Sequence, residues 1–396
     1  MINKILFYCG LGLCLSAIFN ACESNGAADL VIAPVVEESE VMVPGLSVDE
    51  QQIFKEGRDL FFTSFTLEEG LGPFFAEDAC GKCHVGAGRG PGKVLRIGRT
   101  LNGAFDPLSQ FGGPTMQFRT AMPDKVPETV PPEAEFVEFR SPPGMFGRGF
   151  IQAIPSETIV AFADPNDDNA DGISGRANFV IQSFVGSPNN PQLGRFGIKA
   201  QGATVIDFAD NAFLNDLGMT SPMRPFELPN PNSPTAVDKK KGLDVSQDVV
   251  DKVDKFIRML DFPSMVDSVS ANFQTGRNLF VSTGCQKCHI SAMTTGASDI
   301  GAVSYKTVYV YSDFLLHDMG TALSDHTLDG DALPQEFKTA VLRGMRFFKE
   351  FLHDGRAHTI LEAIQMHAGE AQGIRDAFMQ LSVSDQQKIV TFVSSL

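Results

Sequence analysis

Two five-residue stretches decide the fold: Cys80-Gly81-Lys82-Cys83-His84 and Cys285-Gln286-Lys287-Cys288-His289. Each has the pattern C-x-x-C-H, the attachment motif of a c-type haem. Because two residues separate the cysteines, both thiols lie on one side of a helical turn, where they can form thioethers with one porphyrin. The histidine after the second cysteine is then the proximal ligand of the iron. The pattern predicts thioether bonds at Cys80, Cys83, Cys285 and Cys288, and proximal ligands at His84 and His289.

Two other sites use paired cysteines, and both fit this sequence less well. A structural zinc site places its two C-x-x-C pairs about 12–20 residues apart, whereas far more chain separates Cys83 from Cys285. A thioredoxin-type dithiol needs no histidine after its second cysteine, yet both copies have one. The repeated motif therefore predicts two covalent haems.

The overall charge limits the partners of the chain. The 396 residues carry a formal net charge of −16. This charge excludes nucleic acid as a partner and disfavours an anionic membrane surface. It favours basic partner proteins, although many solvated proteins are equally acidic without any such partner. The length allows more than one domain with a sizeable core.

The N-terminus has the pattern of a targeting segment. Lys4 precedes an apolar run from Ile5 to Ala21, whose length suits a signal peptide better than a membrane span. Residues 19–22, F-N-A-C, resemble a bacterial lipobox in which Cys22 receives the lipid, although Phe19 stands where leucine is usual. An ordinary signal peptide, residues 1–22 or nearby, is the alternative. Either interpretation predicts an exported protein, periplasmic or anchored as a lipoprotein that faces the periplasm or the cell surface.

The seven cysteines are all accounted for by these predictions. Cys9 and Cys14 lie in the signal segment, Cys22 is the lipid acceptor, and the other four belong to the haem motifs. The mature chain then has no thiol for a disulfide framework or a nucleophile. Residues 23–46 are small, acidic and marked by proline, which predicts a flexible linker between the lipid and the folded body.

The body contains an internal repeat. The pattern F-x-x-G-R-x-L-F occurs at Phe54–Phe61 and again at Phe273–Phe280, before each haem motif. Its apolar spacing fits one face of a helix, and the glycine allows another helix to approach closely. Closing helices are predicted to begin at Ser246 and at Ser384, since serine is a good N-cap.

This repeat predicts a mainly α fold with two cytochrome c-like domains. The N-terminal domain spans 47–265 and the C-terminal domain 266–396, with the boundary near Pro263–Asp267. The N-terminal domain holds a long insertion, Val85–Gly242, whose prolines break long helices. Irregular loops, a few short strands and short helices are expected there, and a loop region of this length usually shapes a pocket.

One segment of the insertion resembles a cation-binding loop. Residues Asp167–Gly172, D-D-N-A-D-G, place oxygen ligands at alternate positions before a glycine, as calcium loops do. The twelfth position is Asn178 instead of a bidentate glutamate. The segment therefore predicts either a Ca²⁺ site or a solvated acidic turn.

The distribution of histidines separates the two haems. His84 is the only one of seven histidines that precedes the second motif. The first iron must therefore bind a methionine, reach a C-terminal histidine or stay open. A six-coordinate haem transfers electrons, whereas an open one can bind a small oxidant such as peroxide. The local methionines are Met116, Met122 and Met145, and the spare histidines are His317, His326, His353, His358 and His367.

Several segments resemble known di-haem enzymes. Phe351–Ala357 with Leu361–Ile364 resembles the H-D-G…L-E-E-A segment of bacterial di-haem cytochrome c peroxidases and their MauG-like relatives. Tyr311–Gly320 and His367–Ala371 are more similar to a family of di-haem oxidoreductases that is also labelled thiol oxidoreductase. Arg140–Pro143 with Gly147–Pro155 fits the same family, and the resemblance covers most of residues 47–396.

The resemblance implies a sixth ligand for the second haem. In the di-haem peroxidases this ligand follows the H-D-G histidine by about four helical turns, which leads from His353 to His367, beside Met366. Bis-histidine ligation would lower the reduction potential relative to a His/Met pair. His353 is then expected to be a buried structural histidine. His317, His326 and His358 are expected to be structural or exposed, with His317 as the best alternative ligand.

Two features depart from the peroxidases. The chain has no tryptophan, whereas those enzymes place one between their haems. The distal acid-base group is also not evident: Gln152, Glu157, Glu135 and Glu138 are all candidates, and no catalytic residue is predicted.

Two functions follow from these patterns. In the first, an external donor protein reduces the C-terminal haem and the N-terminal haem reduces a small oxidant. In the second, the protein is a non-catalytic di-haem electron carrier with both irons six-coordinate. Thiol oxidation, suggested by the family label, would require a thiol supplied by the substrate.

Overall fold

The computed structural model describes residues 41–234 and 240–396. The ten α-helices in these residues are α1 Val48–Phe62, α2 Cys80–Cys83, α3 Arg148–Ala153, α4 Ser156–Val160, α5 Val205–Leu217, α6 Gln247–Arg258, α7 Ala271–Thr283, α8 Ile360–Gln365, α9 Gln372–Gln380 and α10 Val383–Ser395. The strands are β1 Phe74–Phe75, β2 Val94–Leu101, β3 Ala104–Asp106, β4 Arg119–Thr120, β5 Phe136–Arg140, β6 Phe179–Val180, β7 Gln192–Leu193, β8 Met293–Thr294, β9 Thr307–Val308, β10 Leu316–Asp318 and β11 Glu336–Lys338.

The first repeat forms a crossed pair of helices, α1 and α6. A capping box begins α1, because Ser47 accepts from the amide of Glu50 and the Glu50 carboxylate accepts from the amide of Ser47. Gly57 lies where the helices cross, and a Cβ there would overlap the carbonyl of Lys252. The glycine therefore allows the close approach that the sequence predicts.

The second repeat builds the same crossing from α7 and α10. A Cβ on Gly276 would overlap the carbonyl of Lys388, as one on Gly57 would overlap that of Lys252. Phenylalanine rings pack beside both crossings, with centroids 5.1 Å apart for Phe54–Phe256 and 5.0 Å apart for Phe273–Phe392. In both repeats the glycine therefore allows a second helix to approach closely, as the sequence predicts.

The two closing helices differ in how well their starts were predicted. Ser246 caps α6, with its hydroxyl accepting from the amide of Val249. In contrast, α10 begins after Ser382 and not at Ser384, so that prediction is wrong by one half-turn. Ser382 is the better cap because its hydroxyl accepts from the amide of Asp385, whose carboxylate also lies in the first helical turn.

The insertion contains more regular structure than expected. Strands β3, β2 and β5 form an antiparallel sheet in that order, with Leu95 opposite Phe139. Helix α5 is 13 residues long and packs on α6. Together with the short two-stranded sheets, these elements make the fold a mixed one and not the mainly α fold that was predicted.

One large apolar core extends across the expected domain boundary. It joins Phe54 of α1 and Phe256 of α6 to Val310 and Phe314, which follow the second haem motif. A smaller cluster packs α7 and α10 around Phe378. The division into domains at 47–265 and 266–396 stays a prediction.

The folded body begins earlier than predicted. The amide of Val43 donates to the carbonyl of Met259 at 2.9 Å, and the side chains of Val43 and Leu46 are buried. Residues 41–46 therefore pack on the body instead of extending the flexible linker. The signal segment, Cys22 and residues 23–40 lie outside the described residues. In residues 41–234 and 240–396, no helix is both long and apolar enough to cross a bilayer.

Candidate functional site

Both C-x-x-C-H motifs form helical turns with the same backbone pattern. The first is α2, and the second is a 3₁₀ turn at Cys285–Lys287. The amide of His84 donates to the carbonyl of Cys80 at 3.0 Å, and His289 donates to Cys285 at the same distance. The four cysteines of the motifs are free thiols and not disulfides. Each turn therefore keeps two thiols and an imidazole on one short segment.

A phenylalanine from each entry helix packs against the motif histidine. Phe61 of α1 lies 5.8 Å from His84 between ring centroids, and Phe280 of α7 lies 6.2 Å from His289. These phenylalanines end the two copies of F-x-x-G-R-x-L-F. The repeat thus fixes where each imidazole lies relative to its helix pair.

The second motif opens into a cavity of about 270 Å³, called here the C-terminal cavity. Its walls include Cys285, Cys288, His289 and His367. The Nδ1 atom of His289 lies 2.9 Å from the carbonyl oxygen of Tyr311, and that of His367 lies 2.7 Å from the carbonyl oxygen of Ala363. In both residues Nδ1 then carries the proton, which leaves Nε2 as the ligand atom.

Burial keeps these imidazoles neutral. It lowers the pKa of His289 to about 4 and also lowers the pKa of His367. A neutral imidazole with a free Nε2 is the form that binds a metal. Met366, the neighbour of His367, is more than a third exposed and does not line the cavity.

His353 lines the same cavity but is held differently. Its ring stacks on Phe337 with centroids 4.3 Å apart, and its Nε2 has no hydrogen-bond partner among the described residues. Its backbone carbonyl accepts from the amide of Ser141. The stacked ring and the bonded backbone agree with a structural role, while the free Nε2 makes His353 a rival ligand. His326 and His358 are exposed and line neither large cavity.

His317 belongs to a buried charged network that the sequence did not reveal. Its Nε2 lies 2.9 Å from a carboxylate oxygen of Asp313, and its Nδ1 lies 2.8 Å from one of Glu370. Burial opposes the charged form, but the bonds to Asp313, to Cys288 and to Glu370 raise the pKa of His317 to about 12. A charged imidazolium held in this way is not free to bind iron, so His317 is disfavoured as the sixth ligand.

This network also positions the loop that carries His367. Glu370 accepts from the amide and hydroxyl of Ser174 and from the amide of Asp318. The loop is thereby tied both to the insertion and to β10. Asp313 and His317 are four residues apart, but they lie in irregular chain and in strand β10 and not on a helix, so this spacing gave no signal of their pairing. The third member, Glu370, comes from a distant part of the chain.

The acidic loop Asp167–Gly172 lies against the second motif. Lys287 forms an ion pair of 3.0 Å with Asp171. The carboxylate of Asp167 accepts from the amides of Asp171 and Gly172, and Asn178 instead donates to the carbonyl of Lys199. These bonds match the solvated acidic turn, and a Ca²⁺ ion here stays a prediction.

The first motif opens into a larger cavity of about 750 Å³, called here the N-terminal cavity. Cys80, Cys83 and His84 line it, and His84 is the only histidine that does so among the described residues. Burial, with Arg148 nearby, lowers the pKa of His84 to about 4. Nδ1 of His84 is buried without a hydrogen-bond partner, unlike Nδ1 of His289.

One of the three methionine candidates reaches this cavity. Met145 lines it, whereas Met116 is buried in a separate cluster with Ile97 and Leu108. Met122 does not line the cavity. Met145 is therefore the remaining methionine that can serve as a ligand of the first iron.

None of the proposed acid-base residues lines the N-terminal cavity. Gln152 accepts from the amide of Val205, Glu135 from the amide of Thr100, and Glu138 pairs with His326. Glu157 lies in the exposed first turn of α4.

Asp216, at the end of α5, lines the cavity instead. Burial raises its pKa to about 7, with Arg96 opposing the shift. The other carboxylates of these walls include Asp207 and Asp329, which are paired with arginines. A carboxyl that titrates near neutral pH suits proton transfer.

The donor set of each cavity fits a c-type haem. Each cavity is lined by two free thiols, three positions apart, and by the imidazole that follows the second thiol. The thiols are not activated as nucleophiles, because burial raises the pKa of Cys80, of Cys83 and of Cys285 to about 12. The C-terminal cavity adds further imidazoles, of which His367 is the predicted sixth ligand, whereas the described residues add none to the N-terminal cavity.

Comparisons with known proteins place most of the chain in one family. Residues 132–396 match the model of a family described as "Di-haem oxidoreductase, putative peroxidase". No curated protein matches the chain. Among solved structures, hydrazine synthase of Kuenenia stuttgartiensis under xenon aligns at 14% identity over 100% of this chain and 99% of that chain, with a TM-score of 0.42.

Two further structures align over most of the chain. A MauG-like protein associated with microbial copper homeostasis is 14% identical over 90% of this chain and 92% of that chain, with a TM-score of 0.40. A variant of the diheme peroxidase BthA from Burkholderia thailandensis is 13% identical over 87% and 85%, with a TM-score of 0.42. These TM-scores are too low for the three structures to assign a function to this chain.

Proposed function

The chain belongs to the di-haem oxidoreductase family, and on this premise we propose that it is a di-haem c-type enzyme that reduces a small oxidant such as hydrogen peroxide. The observation that carries the proposal is the unequal pair of cavities. Among the described residues, His289 and His367 line the C-terminal cavity with free Nε2 atoms, together with His317 and His353. The N-terminal cavity is lined by one imidazole, His84, and by Asp216, a carboxyl without an ion pair in the described part of the chain.

Each cavity would hold its haem through the same three side chains. Cys80 and Cys83, and likewise Cys285 and Cys288, would form the thioether bonds. His84 and His289 would bind the irons from one side. When bound, the haem iron supplies redox chemistry that no side chain of the chain provides.

The C-terminal cavity has the ligands of an electron-transfer centre. His289 and His367 would both hold the second haem, since both imidazoles are neutral and donate Nδ1–H to a backbone carbonyl. A haem held by two histidines would supply electron transfer. The hydrogen bonds of Glu370 hold the His367 loop in place for this role.

The N-terminal cavity is where the oxidant would be reduced. Reduction of one hydrogen peroxide to two waters takes up two electrons and two protons. The electrons would come from an external reduced donor protein by way of the C-terminal cavity. Asp216 would deliver a proton, because its carboxyl is protonated below about pH 7 and lines this cavity.

A non-catalytic electron carrier is the second candidate, and Met145 favours it. Met145 lines the N-terminal cavity and could complete six-coordination of the first iron, which would close that haem to oxidants. The carboxyl of Asp216, which lines the same cavity and has no ion pair among the described residues, favours the enzyme instead.

The proposed location is outside the cytoplasm. The apolar N-terminal run and the lipobox-like segment ending at Cys22 support export and a lipid anchor, and c-type haems are attached outside the cytoplasm. The donor would then be a redox partner protein of the same compartment.

Low-temperature EPR of the ferric protein tests the proposal. We expect one high-spin and one low-spin signal, and turnover of peroxide with a reduced c-type cytochrome as donor. Two low-spin signals that persist after partial reduction, with no peroxide turnover in any redox state, would identify an electron carrier.

A further inference from the structure

In the described part of the chain, one charged side chain lines both cavities and so lies between them. Pro143, Arg148, Gly197 and Ile198 line both cavities, and Arg148 is the charged member of this group. The Arg148 residue is 9% exposed. Its guanidinium is therefore buried at the one place that faces both haem sites.

Close packing fixes the position of Arg148 at the start of α3. A Cβ on Gly147 would overlap the ring of Phe262, and a Cβ on Gly149 would overlap the carbonyl of Arg258. The backbone on both sides of Arg148 is thus pressed against neighbouring segments. The guanidinium therefore extends from tightly packed backbone.

The charge of Arg148 has no carboxylate partner in the described part of the chain. Its Nε donates to the carbonyl of Gly144 at 2.9 Å, and one terminal nitrogen donates to the same oxygen. Arg140 and Arg224, by contrast, each hold two ion pairs. Burial lowers the pKa of Arg148 to about 10, so it stays charged at neutral pH.

A buried charge without a counter-charge is costly, which indicates that an anion from outside the chain completes the site. Further cations surround the C-terminal cavity. Arg89 lines it and donates to backbone carbonyls, and Lys338 lines it with its ammonium bonded to the carbonyl of Thr339. The occupant of these cavities therefore carries anionic groups on the side facing the wall.

The haem supplies such groups, because every porphyrin of this type bears two propionate carboxylates. We propose that Arg148 is a positioning residue that pairs with a propionate of each bound haem and is the counter-charge they share. The carbonyl of Gly144 occupies the edge formed by Nε and one terminal nitrogen. The three remaining N–H groups, all on the two terminal nitrogens, can donate to a carboxylate of each haem. This inference rests on the proposed function, since it requires both cavities to hold haem.

The shared charge of Arg148 would also act on the reduction potentials of both haems, in a chain that has no tryptophan to lie between them. No aromatic side chain lines both cavities among the described residues. A cation beside a haem favours the reduced form, which has one positive charge less, and so raises the reduction potential. A shared cation therefore raises both potentials together.

Three single substitutions in the di-haem protein test this inference by redox titration. R148M removes the shared charge and should lower the midpoint potentials of both haems. K338M removes an amine that lines the C-terminal cavity alone. Burial lowers the pKa of Lys338 to about 7, so the amine is charged below that pH, and K338M measured there should lower only the second potential. R195M is the matched control: Arg195 is equally buried and bonded to backbone carbonyls, but it lines neither cavity.

Two results would overturn the inference: unchanged potentials in R148M, or a change in only one of them. If R148M does not accumulate, R148K is measured instead. It keeps the charge and loses the fork, so both potentials should stay near those of the wild type. The propionate bending bands in resonance Raman should then shift for both haems, and unchanged bands would again overturn the inference.

Failure of the proposed function would be recognised separately. It would show in the wild-type protein, as fewer than two haems or as absent peroxide turnover. The potentials of wild type and variants can be compared whether or not the protein turns over peroxide.

Discussion

At the scale of single residues, His289 and His367 are the proposed ligands of the second haem. Each donates Nδ1–H to a backbone carbonyl and keeps Nε2 free. A hydrogen bond of this kind fixes the tautomer and the ring orientation and raises the basicity of the ligand. The sequence could suggest His367 only by resemblance, because the bond to Ala363 appears only in the folded chain.

Replacing His367 with methionine tests its role as sixth ligand. H367M should raise the midpoint potential of the second haem, because methionine ligation raises it relative to histidine. It should also change the low-spin EPR signal of that haem. H358A, at an exposed histidine that lines neither cavity, should leave both unchanged. If H367M keeps the wild-type spectrum and potential, His353 becomes the leading candidate.

If Asp216 is the proton donor of the proposed reaction, peroxide turnover has a pH dependence that can be measured. Burial raises the pKa of its carboxyl to about 7, so the proton-donating form is present below that pH and lost above it. Peroxide turnover should therefore decline as the pH rises through about 7. D216N should lower turnover about 10²–10⁴-fold, the usual contribution of a general acid, and remove this decline.

The control for Asp216 is D331N, because Asp331 lines the same cavity but is exposed. It should keep both the rate and the pH profile of the wild type. A wild-type profile in D216N would mean that the proton comes from another group.

At the scale of elements, the two helix crossings are the best-predicted part of the structure. The glycine and the phenylalanines of F-x-x-G-R-x-L-F are local signals with one physical meaning, close approach of a second helix. The two helices that cross α1 and α7 were themselves predicted, from the apolar periodicity of the residues in α6 and α10. The start of α10 was missed by two residues because Ser382 and Ser384 are both possible caps, and only the bond to Asp385 decides between them.

Other elements could not be predicted from local patterns. Helix α5 begins after a capping threonine, Thr204, inside a region rich in glycine and proline, so no long helix was expected there. Asp216 and Arg148 were overlooked because their roles depend on burial and on distant neighbours. A carboxylate or guanidinium gains a raised or lowered pKa only when folding removes it from water.

Alanine at the crossing glycines tests the packing of the repeat. A Cβ on Gly57 or Gly276 would overlap a carbonyl of the facing helix, so G57A and G276A should each destabilise the protein by about 1–3 kcal/mol, as overpacking does. At Gly373 of α9 a Cβ would meet open space, and G373A should be neutral or stabilising by about 0.5–1 kcal/mol. Thermal or denaturant unfolding of the holoprotein measures all three.

The packing would be misassigned if G276A were as stable as G373A. Because the same overlap occurs at Gly57 and Gly276, similar losses are expected in both halves. A loss in one half alone would show that the two crossings are not equivalent.

At the scale of the whole molecule, a repeated unit occurs in two halves that differ in the residues around their cavities. Both halves keep the crossed helices, the motif turn and the phenylalanine beside its histidine. The second half contains His367 and the hydrogen bonds of Glu370 to His317 and Asp318. The first half contains a long insertion and a larger cavity. The large apolar core and the wall at Arg148 connect the two halves.

The mass of the intact, denatured protein tests the central claim most directly, after expression in a host that assembles c-type cytochromes. The mature chain should be heavier by two haems, and Cys80, Cys83, Cys285 and Cys288 should all resist alkylation because they are thioethers. A gain of fewer than two haems, or alkylation of these four cysteines, would contradict the claim that each cavity holds a covalent haem.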